Sequence, residues 1–112
     1  FWGFLDRLVA GSEVVIDQPA GSPHTDYPDS IYPLDYGYLA GTTSADGSGI
    51  DVWVGVAGGK TPAGILVTVD LIKRDSEIKV LLGCSEAEML TIVEFQNTTD
   101  NMHSLLIRRG QE

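Results

Sequence analysis

Four acids and one lysine stand at spacings that could assemble a cation site. Asp46 precedes the glycines of DGSGID and Asp51 follows them. Gly47 and Gly49 let the backbone fold tightly enough for both carboxylates to meet. Asp75 and Glu77 lie two residues apart, so they share a face wherever the chain is extended, and Lys79 continues that face. Mg²⁺ takes oxygen ligands at about 2.0–2.1 Å in octahedral geometry and keeps several waters. Carboxylates from two hairpins facing one cavity would suit it, with Lys79 reaching a bound phosphate. The same residues also read as ordinary surface chemistry. DGSG is a common turn composition, and Asp75-Ser76-Glu77 would make a solvated hairpin tip.

The rest of the chain bounds what such a site could serve. With 112 residues there is room for one domain and not for two. The formal net charge of −9 argues against nucleic acid and anionic membranes as partners. It fits a divalent-cation site, and equally an acidic surface kept for solubility. Cys84 is the only cysteine, so no intrachain disulfide forms. It reads as a buried, inert thiol and suits a reducing cytoplasm. The opening stretch FWGFLDRLVAG is too short to span a bilayer and carries Asp6 and Arg7 in its middle, and no signal peptide is read in it.

Local patterns place these residues on elements. Phe1, Phe4, Leu5, Leu8 and Val9 recur at helical spacing, predicting a helix over residues 2–10 that ends at Gly11. Residues 13–18 are β-branched up to Pro19 and read as a strand. Four prolines between Pro19 and Pro33 mark a loop. Residues 50–56 alternate, with Ile50, Val52, Val54 and Val56 on one side and Asp51, Trp53 and Gly55 on the other. Residues 65–73 and 77–82 read as strands joined by a tight turn at Arg74-Asp75-Ser76. Ser85-Glu86-Ala87-Glu88 is a capping box that opens a helix running to about Gln96. Residues 102–109 form a last strand. These elements predict a mainly β, α+β fold: a small antiparallel barrel or curled sheet with a helix at each end. Trp2, Phe1 and Phe4 would cap it, or would support a homodimer if exposed.

The stretch from Tyr32 to Val54, YPLDYGYLAGTTSADGSGIDVWV, carries a further signal. It resembles the signature region of the soluble inorganic pyrophosphatases, a YPxNYG segment followed by DGDPxDV. The resemblance runs from about Glu13 to Lys79. VVIDQPAGS is similar to the family's VxIEIPxGS segment and places Asp17 at an acid that closes the metal cluster. Tyr32 and Tyr36 match two tyrosines near the phosphate site. Asp46 and Asp51 match the first and third acids of DxDxxD, and Asp75, Glu77 and Lys79 match a later Asp…Asp-x-Lys cluster. The resemblance implies a five-stranded OB-like barrel forming one domain over residues 1–112. It implies Mg²⁺- or Mn²⁺-dependent hydrolysis of pyrophosphate or a related phosphoanhydride by metal-activated water. Asp46, Asp51, Asp75, Glu77 and Asp17 would hold metal, Tyr32, Tyr36 and Lys79 would contact phosphate, and Asp51, Asp46 and Tyr36 would serve catalysis.

The sequence departs from this pattern on the phosphate side. Ser48 stands where the family has its middle acid, the leading candidate for activating water, and a neutral hydroxyl is a poor base near neutral pH. A lysine ahead of the first tyrosine and an arginine strand have no counterpart. The late Tyr-Lys pair is replaced by Phe95-Gln96-Asn97. His24, Arg108 and Arg109, with Lys73, Arg74 and Lys60 in or near turns, are the residues on hand to substitute. Two readings follow: a phosphoanhydride hydrolase of reduced activity, and an inactive metal- or phosphate-binding or interaction module on the same fold.

Overall fold

The computed structural model describes residues 1–111. Helix α1 spans Trp2–Ala10, strand β1 Val14–Gln18, β2 Asp35–Leu39, β3 Ile50–Val54, β4 Pro62–Asp70 and β5 Asp75–Leu82. Helix α2 spans Glu86–Gln96, and β6 covers Met102–Arg108. The strands form one sheet in the order β1-β2-β3-β5-β4-β6. All neighbours are antiparallel except β3 and β5, which pair in parallel.

The expected five-stranded closed barrel is corrected to an open sheet of six strands. The added strand is β2, the YGY segment itself. Its glycine and tyrosines signalled chemistry rather than a strand, yet Tyr36 and Tyr38 alternate with Gly37 as a pleated strand requires. Gly37 has a packing reason as well, since a Cβ there would collide with the Val15 carbonyl of β1. Boundaries also shift. β3 stops at Val54 and leaves Val56 exposed, β4 runs from Pro62 to Asp70, and the turn before β5 lies at residues 71–74 rather than 74–76.

Both faces of the sheet are covered, so β3 has no solvent side. Val52 packs with Ile65, Val80 and Leu82 against Leu5 and Val9 of α1. Trp53 packs on the other face with Leu66 and Leu81 against Met89 and Ile92 of α2. The capping box of α2 is present: Glu88 N–H donates to Ser85 Oγ at 3.2 Å, and Ser85 N–H donates to Glu88 Oε1 at 2.8 Å. Of the expected aromatic cap, Trp2 packs partly buried against the cluster around Leu5 and Val9, while Phe1 and Phe4 are exposed. Among the described residues, no helix is long and apolar enough to cross a membrane.

Candidate active site

β2 and β3 build the floor of the site through their alternation. Tyr36 pairs with Trp53 across the ladder and Tyr38 with Asp51, and these four side chains line one cleft of about 510 Å³. β5 adds Lys79 to the same cleft. The loop after β1 folds back on itself as a hairpin, with His24 N–H donating to Ser30 O and Tyr32 N–H to Ser22 O. That fold-back lays the His24 ring parallel to Tyr32, centroids 5.8 Å apart.

Lys79 is buried, and its charge is shared among three groups. Nζ donates to the Tyr36 hydroxyl at 2.7 Å and to Asp51 Oδ2 at 2.8 Å, and lies 3.9 Å from Glu77 Oε2. Burial, with the negative charge of Asp51 adding to it, holds the Tyr36 phenol well above its ordinary pKa. Tyr36 therefore remains a neutral O–H at physiological pH.

The acids converge beside this ammonium. Asp46, Asp75 and Glu77 each place a carboxylate oxygen within 4.8 Å of the others. Gly47, at φ 85°, turns the backbone so that Asp46 Oδ1 accepts from Ser44 Oγ at 2.7 Å and from Ser48 N–H at 2.9 Å. Those two bonds, with one from Glu77, pull the Asp46 pKa down to about 2. Glu77 moves oppositely, to about 7. Burial is the main cause and the hydrogen bond to Asp46 the next, against the opposing pull of Lys79. Its side chain is only 8% exposed, and Oε1 has no hydrogen-bond partner. Three carboxylates gathered this closely match the donor set of a hard divalent cation.

The residues singled out in the sequence thus fall into two groups. Asp46, Asp75 and Glu77 form the three-acid cluster, of which Asp46 also lines the cleft. Asp51 stands apart from that cluster, on Lys79. Asp17 lines the cleft from the bulge in β1, where the register shifts between Ile16 and Gln18. Tyr32 and Tyr36 line it as a stacked pair with centroids 5.5 Å apart. Ser48 lines the cleft too. Arg108 forms a bidentate pair with Glu86, at 2.6 and 2.7 Å, and Arg109 one with Asp6, at 2.7 and 2.8 Å. Neither arginine is among the cleft-lining residues.

Three residues of the wall were given no place at the site by the resemblance: Lys73, Trp53 and Phe95. For Trp53 the signal was present: it shares the Asp51 face of β3 by alternation. For Lys73 and Phe95, only the packing of α2 and the β4–β5 turn brings them in.

Two solved structures resemble this one. Inorganic pyrophosphatase from Helicobacter pylori superposes with a TM-score of 0.62 at 17% sequence identity, covering 88% of this chain and 84% of that one. An inorganic pyrophosphatase from Coxiella burnetii gives 0.55 at 16% identity, with 85% and 82% covered. The chain has the pyrophosphatase fold. No protein-family model matches the sequence, and no curated protein does. These likenesses show the fold, and the function is argued from the site.

Proposed function

We propose that this chain is a divalent-cation-dependent hydrolase of phosphoanhydrides. The observation that carries this reading is the three-acid cluster of Asp46, Asp75 and Glu77 beside the Asp51–Lys79–Tyr36 triad, with Asp46 reaching the cleft that the triad lines. The shared fold supports it. Asp46, Asp75 and Glu77 would hold the ion, Mg²⁺ or Mn²⁺. A bound cation would neutralise phosphoryl charge and lower the pKa of water in its coordination sphere.

The chain's own residues do the rest. Lys79 and the neutral Tyr36 hydroxyl donate to phosphoryl oxygens, and Lys73 adds a second positive charge to the cleft wall. Asp51 orients Lys79 and can accept a proton from water. Water oxygen bonds to phosphorus, the bond from phosphorus to the bridging oxygen breaks, and the departing phosphate takes up a proton. Positioning and charge stabilisation supply most of the acceleration in such reactions.

Phosphate release from pyrophosphate with and without Mg²⁺ tests the proposal, with Asp51→Ala as control. Metal-dependent release that the control loses supports it, and absence of release in every condition overturns it. The neutral Ser48 and a cleft with only two lysines on its wall favour a second reading, a catalytically silent metal- and phosphate-binding module. That reading predicts Mg²⁺ binding without turnover.

A further inference from the structure

The cleft does not end at the phosphate side. It continues into a second cavity of about 240 Å³, and the two share His24, Lys73, Phe95, Gln96 and Met102 on their common wall. The whole space falls in the range of roughly 300–1,000 Å³ typical of organic ligands, well beyond the needs of an inorganic diphosphate.

The walls of this extension offer ring faces beside polar groups. Tyr27 stands 5.2 Å from His24, His24 is stacked on Tyr32, and Tyr32 packs 5.3 Å from Phe95. This run of rings leads away from Tyr36 and Lys79 into the second cavity. Besides Tyr27, the added wall offers the hydroxyls of Thr98 and Thr99 and the amide of Asn101, which can hydrogen-bond sugar or base, and the acid Asp26, which disfavours a further phosphate. Asp70, also on that wall, already accepts from Ile72 and Lys73 N–H at 2.9 and 3.0 Å.

An unmet hydrogen bond marks the junction. Gln96 is 91% buried by its 9% exposure, and its Oε1 has no partner. Buried polar atoms are paired as a rule. Gln96 sits on the wall common to both cavities, with this oxygen turned into the protein.

We propose that the substrate is a nucleoside polyphosphate, its terminal phosphate at the acid cluster and Lys79, its base among Tyr27, His24 and Phe95. This rests on the hydrolase reading and names its substrate class. Stacking on aromatic rings holds a base of any sequence. The reaction is hydrolysis: water oxygen bonds to the terminal phosphorus, whose bond to the bridging oxygen breaks. That oxygen leaves on the shortened nucleotide and takes up a proton.

The test compares adenosine triphosphate with inorganic tripolyphosphate, in Mg²⁺, by phosphate release and by calorimetric binding to the full chain. The two differ by the nucleoside alone. The expected result is kcat/KM about tenfold or more in favour of the nucleotide. Tyr27→Ala is expected to lower the nucleotide's kcat/KM at least tenfold more than the tripolyphosphate's, and Tyr27→Phe to restore it. Hydrolysis of tripolyphosphate and pyrophosphate with no nucleotide preference overturns this inference and leaves the hydrolase reading standing. Tighter, Tyr27-dependent nucleotide binding without turnover overturns the hydrolase reading and supports the base site. Neither turnover nor binding overturns both.

Discussion

Lys79 Nζ and Asp51 Oδ2 meet at 2.8 Å from strands that are sequence-distant and pair in parallel. The lysine side chain is 8% exposed and the aspartate 27%, so the pair is sheltered on one side only. Replacing Lys79 by Met leaves Asp51 facing Glu77 and Asp46 without a compensating cation. Loss of one partner of a fully buried pair costs about 3–5 kcal/mol, and partial exposure of Asp51 reduces this to about 1–3 kcal/mol. Thermal or urea unfolding of Lys79→Met measures it. Turnover should fall about 100-fold or more, since a group stabilising phosphoryl charge is removed. An unchanged melting temperature together with unchanged turnover would show that the pair matters to neither.

Glu77 and Asp46 press two carboxyl groups together, so one variant should act in opposite directions with and without metal. In metal-free buffer Glu77→Gln removes a buried acid and is expected to raise the melting temperature. In saturating Mg²⁺ it removes a ligand, so the stabilisation by metal, which follows from binding to the folded state alone, should shrink. Calorimetry is expected to show affinity reduced about tenfold or more. A variant with full Mg²⁺ affinity would remove Glu77 from the cation site.

Ser48 lines the cleft two residues from Asp46, and its N–H already binds that carboxylate. Ser48→Asp adds a base to the wall. A positioned general base contributes typically 10²–10⁴-fold, so phosphate release should rise by about 100-fold. If Ser48→Asp leaves release at zero while Mg²⁺ still binds, the silent binding module is the better account.

Cys84 is buried, and burial, aided by nearby Glu88 and opposed by a hydrogen bond from the Gly55 backbone, raises its thiol pKa to about 12. A free cysteine ionises near pH 8.5. The folded chain should therefore react slowly with thiol reagents at pH 8, and rapidly once unfolded in urea. The linkage has a definite sign. Between about pH 9 and 12 the unfolded thiol has lost its proton and the folded one has kept it. This contribution to stability is present below pH 9 and is lost as pH rises towards 12. Cys84→Ala should flatten that part of the stability profile. Fast labelling of the folded protein at pH 8 would contradict the burial.

Much of this was legible in the chain because it is local. The capping box at Ser85 and Glu88 set the start of α2 by pairing side chains three residues apart. Alternation put Asp51 with Trp53, and Asp75, Glu77 and Lys79 on one face, because a strand repeats every two residues. The resemblance of the Tyr32–Val54 stretch to the pyrophosphatase signature pointed to the fold that the two solved enzymes share.

What the tertiary structure alone decided rests on long-range pairing. β2 became a strand because Gly37 fits against β1 and Tyr36 against Trp53, neither of which its own residues announce. The sheet stayed open, and its sixth strand came from a segment whose tyrosines read as chemistry. Arg108 and Arg109 were free to be phosphate ligands by sequence, yet Glu86 and Asp6 reach them from the two helices. Asp51 matched a metal ligand by motif, and the parallel pairing of β3 with β5 brings Lys79 to its Oδ2. A sequence states which groups are present and how they alternate. Which charge neutralises which is an energy that exists only once the strands are in register.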